Sequence, residues 1–159
     1  MPKPRLPAFD PAELAESNAT SYPVAFRADN SKRWNRRLGD HVGLKNFGVN
    51  LTRIVPGAQS SARHAHSKQD EFIWVLEGEV VLIDDAGEQT LRAGDCAGFP
   101  AGERNGHHLQ NRTRRDALLL TVGARDDRDE GEYPDIDMKF LPGRYSGTGG
   151  YSRKDGTRY

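Results

Sequence analysis

Residues 63–78 run RHAHSKQDEFIWVLEG, and the fold turns on this stretch. His64 and His66 stand two apart, so on an extended strand both side chains leave the same face. Glu71 follows and opens an apolar run, FIWVL, that reads as a strand ending at Gly78. Two imidazoles and a carboxylate aimed at one point supply three ligands for a first-row divalent metal. A His-x-His pair in a polar loop more often does nothing. The pair gains weight from its strand setting and from a second cluster, Gly94–Asn111, GDCAGFPAGERNGHHLQN.

The 159 residues suffice for one domain with a sizeable core. Hydrophobic residues make up only 35% of the chain, and they concentrate between about residues 42 and 123, which predicts one compact core with two polar arms. Lys plus Arg equals Asp plus Glu at 23 each, so no net field draws the chain to nucleic acid or an anionic membrane. The single cysteine, Cys96, excludes an internal disulfide and fits a reducing compartment. No apolar run approaches the ~20 residues of a membrane span. The opening MPKPRLPAFDP holds no apolar signal core, so a cytoplasmic location is expected.

Working outward, residues 1–32 form an N-terminal arm. Its prolines predict an extended start over residues 1–9. Asp10-Pro11-Ala12-Glu13 predicts a short helix with Asp10 as N-cap, ending by about Ser17-Asn18, and residues 18–32 read as loop. Residues 33–123 form the core, with an edge strand over 33–38. Asn46–Val55 alternates, Phe47, Val49 and Leu51 on one side and Asn50, Thr52 and Ile54 on the other. Phe72–Leu76 is apolar on both faces, as in a strand between a filled interior and a second covered face. Val80–Ile83 and Glu88–Leu91 make a hairpin across Asp84–Gly87, and further strands fall at 96–99, 107–111 and 117–123. Short strands with glycine at the corners predict an all-β sandwich or barrel. Residues 124–159 form a polar C-terminal arm, either solvated or laid across the barrel or a partner subunit.

The two clusters together resemble the paired motifs of the cupin superfamily. Gly57, His64-Ala65-His66, Glu71 and Gly78 follow the first motif, with one extra residue between Gly57 and His64. Gly94, Pro100-Ala101-Gly102, His107 and Asn111 follow the second, with two extra residues between Gly102 and His107. The chain is similar in particular to small bacterial single-domain cupins, some of whose relatives are named sugar-phosphate isomerases. The resemblance covers residues 45–123. It implies a double-stranded β-helix, or jelly-roll barrel, with His64, His66, Glu71 and His107 holding a divalent transition metal: Fe, Mn, Ni, Co or Zn. It also implies a homodimer, for which sheet edges and arms that need covering are the physical reason.

Two positions have competitors. Alternation puts His107 on a face with Leu109 and sends His108 the other way, which favours His107. Glu71 shares a face with Ile73 and Val75, which favours it over Asp70. Cys96 is expected as a small buried filler, Trp74 in an outer layer or at a subunit contact, and Trp34 as an anchor of the first strand. Phe47, Val49, Leu51, Ile73, Val75 and Leu109 are candidates for pocket wall or core. Arg53, Gln59 and Arg63 are candidate partners for an anionic substrate. The runs Arg112–Arg115 and Asp126–Glu130 read as solvated surface.

The expected function is a metal-dependent enzyme on a small polar metabolite, with Glu71 also moving a proton; an isomerase or a dioxygenase would use such a site. The alternative is a cupin that binds or senses a small ligand without turnover.

Overall fold

The computed structural model describes residues 4–159. Among the described residues are eleven strands: β1 Arg33–Arg37, β2 Phe47–Ile54, β3 Glu71–Glu77, β4 Glu79–Asp84, β5 Gly87–Arg92, β6 Cys96–Phe99, β7 His108–Gln110, β8 Ala117–Ala124, β9 Gly131–Tyr133, β10 Met138–Leu141 and β11 Gly150–Ser152. Two short helices, α1 Val24–Asn30 and α2 Leu38–His41, flank β1. No helix among the described residues is long and apolar enough to cross a membrane.

The larger sheet has the order β1-β2-β8-β3-β6, and a smaller one runs β5-β4-β7. Their inner faces share one core. Ile54, Ile73, Val75, Ala117 and Leu119 come from the first sheet, and Val80, Leu82, Leu91 and Leu109 from the second. Val75, Val80 and Leu119 are fully buried, and burial of this apolar area is the main favourable term. β3 passes to β4 through Gly78, where φ is +79° and an added Cβ would lie 2.8 Å from the carbonyl oxygen of Asp116. Only glycine fits both constraints. The β4–β5 hairpin turns at Asp84, whose Oδ1 accepts from the backbone N–H of Ala86 and of Gly87.

The arms depart from expectation. Pro2 lies outside the described residues, and Arg5–Ala8 makes a turn rather than a continuous extended arm. Asp10 does accept from the Ala12 N–H, but the helix is one 3-10 turn, Pro11–Glu13, after which Leu14 is extended. Residues 18–32 are not all loop. Pro23 precedes α1, and the Asn30 side chain donates back to the Phe26 carbonyl. A helix of 7 residues shows too few apolar repeats to stand out in sequence.

The charged C-terminal residues are not a solvated tail. β11-β10-β9 make a third sheet, and Tyr133, Met138 and Phe140 bury themselves with Tyr22 in a second cluster. β2 presents its faces opposite to the polarity of its residues. Thr52 and Ile54 are buried inward, while Phe47, Val49 and Leu51 lie on the outer face, with Phe47 43% exposed. Cys96 is exposed rather than a buried filler, because it shares the outer side of the sheet with its register partner Trp74.

Asn111 joins the two sheets at their closed end. It is 1% exposed, its Nδ2 donates to the carbonyls of Ile54 and Arg115, and its Oδ1 accepts from the N–H and hydroxyl of Thr113. Asn111→Ala removes the side-chain donor to the buried Ile54 carbonyl and one of the two donors to the Arg115 carbonyl, and is expected to cost roughly 2–4 kcal/mol in urea unfolding. A loss below about 1 kcal/mol would show that the link does not hold the sheets.

Candidate metal centre

Each motif residue reaches the centre through the local backbone. His64 and His107 form an isolated antiparallel bridge, His64 N–H to His107 O at 3.2 Å and His107 N–H to His64 O at 2.9 Å. The bridge pins the loop before β3 to the start of β7. Glu71 opens β3 and pairs with Gly123 on β8 and Phe99 on β6. Its side chain therefore follows Ile73 and Val75 to the interior.

The donor atoms converge. His64 Nε2 lies 3.1 Å from His66 Nε2. Glu71 Oε2 lies 3.5 Å from His66 Nε2 and 3.0 Å from His107 Nε2. One donor atom each from His64, His66 and Glu71 falls within 4.8 Å of the others. Ligands bound at about 2.0–2.2 Å to one ion, at angles of 90–110°, are about 3 Å apart, so these separations fit a shared cation. The competitors point elsewhere. The His108 Nδ1 faces the Ser61 carbonyl at 3.0 Å, and the exposed Asp70 accepts from the Ala101 N–H at 2.8 Å.

All three imidazoles use the same ring edge for support. His64 Nδ1 faces the Ala62 carbonyl at 2.9 Å, His107 Nδ1 the Asn105 carbonyl at 3.3 Å, and His66 Nδ1 the carboxylate of Asp129 at 2.5 Å. Acceptors at Nδ1 of His64 and His66 hold the proton there and leave their Nε2 lone pairs facing the centre, the usual arrangement of metal-binding histidines, whereas without an ion His107 donates from Nε2 to the Glu71 carboxylate. Burial pushes His64 down to about 3, against the pull of the Glu71 carboxylate, so its ring is neutral and ready to coordinate. Burial alone would raise the Glu71 carboxyl; the hydrogen bond with His107 and the neighbouring imidazoles outweigh it and hold Glu71 at about 2.

Asp129 is the residue that sequence reasoning missed. It sits in the run Asp126–Glu130 that read as solvated, yet it is 4% exposed and also accepts from the Lys68 N–H. Nothing in the linear pattern marks it, because its partner His66 is 63 residues away. Aromatic rings complete the walls. Phe99 stacks on His107 at 3.5 Å, Tyr133 on His64 at 5.4 Å, and Phe140 tilts against His66 at 5.0 Å. A cavity of about 280 Å³ opens beside the cluster, lined among others by His66, His107, Phe99, Leu82 and Glu103.

The proposed anion partners are otherwise engaged. Arg53 pairs with Glu16 and Asp116, Arg63 with Asp135 and Asp85, and Gln59 donates to Asn30. Arg112 is likewise paired, to Glu88.

Comparison with known proteins agrees with this geometry. The Cupin domain family matches residues 50–123. The structure superposes on a cupin-superfamily sugar phosphate isomerase from Silicibacter pomeroyi with a TM-score of 0.90 and 44% identity, covering 98% of this chain and 96% of that one. The chain belongs to the cupin superfamily. A second protein of known structure, from Acidithiobacillus ferrooxidans and provisionally named a sugar phosphate isomerase, is 30% identical over 80% of each chain, with a TM-score of 0.72. The polyketide cyclase RemF of Streptomyces resistomycificus, at 18% identity and a TM-score of 0.63 over 75% of this cupin and 79% of its own chain, shares the fold alone. No curated protein matches the chain.

A pH dependence follows from His64 and Glu71. The folded protein holds His64 near 3 against an ordinary 6.5, and Glu71 near 2 against 4.5. In both cases the unfolded chain binds the proton first, so stability is lost as pH falls. The metal-free protein is expected to have a lower urea midpoint at pH 5 than at pH 7, with the His64 part removed in His64→Phe. An equal or higher midpoint at pH 5 would contradict a buried neutral His64.

Proposed function

We propose that this cupin is a metal-dependent isomerase of a small polyhydroxy substrate of the sugar phosphate class. His64, His66, Glu71 and His107 hold a divalent transition metal, and Glu71 also moves the proton. The observation that carries this reading is the convergence of one donor atom each from His64, His66 and Glu71 within 4.8 Å of one another, with His107 Nε2 3.0 Å from Glu71 Oε2. The shared name of two relatives, one matching nearly the whole chain, supports the substrate class.

A divalent ion here would polarise neighbouring carbonyl and hydroxyl oxygens of a bound substrate. The chain's own groups supply the rest. Phe99, Tyr133 and Phe140 exclude water from the histidines. Asp129 and the Ala62 and Asn105 carbonyls fix the ring orientations. The Glu71 Oε2 is engaged by His107 and His66, which leaves Oε1 to take a proton from the hydroxyl-bearing carbon and return it to the adjacent former carbonyl carbon. The hydroxyl proton passes to the old carbonyl oxygen. The reaction is redox-neutral and releases no leaving group.

Proton transfer at carbon can be read directly. Protein supplied with divalent metal and incubated with aldose and ketose phosphates in heavy water is expected to place deuterium on the carbon next to the carbonyl, detected by proton NMR. Glu71→Gln is expected to lower this exchange at least about 100-fold. Absence of exchange with every member of a pentose and hexose phosphate panel would reject the proposal.

A further inference from the structure

The cavity beside the histidines is lined by acids and amides and by no lysine or arginine. Asp84 is in phase with Val80 and Leu82 on β4, and Gln89 is the register partner of Leu82 and in phase with Leu91 on β5, so both turn toward the space between the sheets. Glu103 comes from the loop that is two residues longer than the cupin motif requires, and Asn105 ties that loop to the β4–β5 turn by accepting from the Asp85 N–H at 2.9 Å. The Glu103 carboxylate is exposed and has no partner among the described residues. A second cavity, of about 510 Å³, adjoins the first, and Ala65, His66 and Glu103 line both. Arg104 and Lys139 line the second alone. Its acids Asp85 and Glu132 are paired, with Arg63 and Lys139, which leaves Glu103 and Glu130 with Arg104.

We infer that the first cavity takes the uncharged end of the substrate and rejects an anionic one, with Glu103 as the residue that selects sugar monophosphates over bisphosphates. The inference rests on the polyhydroxy phosphate reading above and adds the direction in which such a substrate lies. Carboxylates and amides exchange hydrogen bonds with hydroxyl groups and need no counter-charge to do so. A phosphate brought beside Asp84 and Glu103 loses its water and meets two negative charges, with no guanidinium or ammonium to replace the lost solvation. The second cavity holds the cations that line this cleft, so the phosphate end belongs there. This direction also suits the chemistry. His107 lines the first cavity and not the second, so an uncharged end in the first cavity brings the carbonyl carbon to the donor cluster. The reverse direction would carry that carbon away from His107 and Glu71.

Calorimetric titration of the metal-loaded protein with a hexitol 6-phosphate and with the hexitol 1,6-bisphosphate reads this selection without turnover. The monophosphate is expected to bind at least about 10-fold more tightly. Glu103→Gln keeps the shape of the side chain and removes its charge, and is expected to shrink that preference at least about 3-fold, whereas Glu103→Asp is expected to retain it. Glu103 is exposed and unpaired, so neither substitution removes a contact of the fold. Equal binding of the two compounds by the unaltered protein would overturn the inference and leave the substrate class standing. A preference unchanged in Glu103→Gln would assign the rejection to bulk and overturn it as well. No binding of the monophosphate would remove the substrate class itself, and this inference with it.

Discussion

The two backbone hydrogen bonds between His64 and His107 are the constraint on which the site depends. They tie a loop ahead of β3 to the residue just before β7, 43 positions apart (107 minus 64). With that tie in place, His64 and His107 lie nearly parallel, ring centroids 5.6 Å apart; Asp129 holds His66, and strand alternation in β3 turns Glu71 inward. Without it, the first-motif histidines would lie on a free loop and no donor set would form. Gly78 and Asn111 serve the same end at a distance: one lets β3 turn away from its sheet, and the other clamps the sheets where the site is not.

Gathering three imidazoles and a carboxylate inside a barrel works against folding, since each buried polar atom loses water. The chain offsets this in two ways. Every Nδ1 meets an acceptor, so the rings are satisfied on their outer edges. The Glu71 carboxylate is the only acid among the inner donors, and its hydrogen bond with His107 outweighs its desolvation. What remains unsatisfied is the pair of Nε2 atoms of His64 and His66, directed at one another. Neutral nitrogens facing each other at 3.1 Å gain little by themselves, whereas a cation between them would satisfy them together.

The side chains that meet at the centre were legible in sequence from their spacing: His64 and His66 two apart, although the short strand expected there is a loop with a single bridge, Glu71 in phase with Ile73 and Val75, and His107 in phase with Leu109. The barrel strands were legible from the same alternation and from glycine corners. Three things were not. Asp129 lies in a charged run, and only tertiary contact separates it from its solvated neighbours. α1 is too short to show a helical repeat. The direction of β2 was hidden because alternation defines two faces without saying which is inside; the more apolar side, with Phe47, Val49 and Leu51, faces outward. Tyr133 and Phe140 were visible as anchors in a polar arm, but that they wall the histidines needed the register of β9 and β10.

The most direct test is the metal content of purified protein after reconstitution with a divalent transition metal and removal of excess, read by plasma mass spectrometry beside folded His64→Ala. The account predicts about one equivalent per chain in the unaltered protein and none above background in the variant. Unaltered protein that retains no metal, or a His64→Ala protein that retains as much, would contradict it.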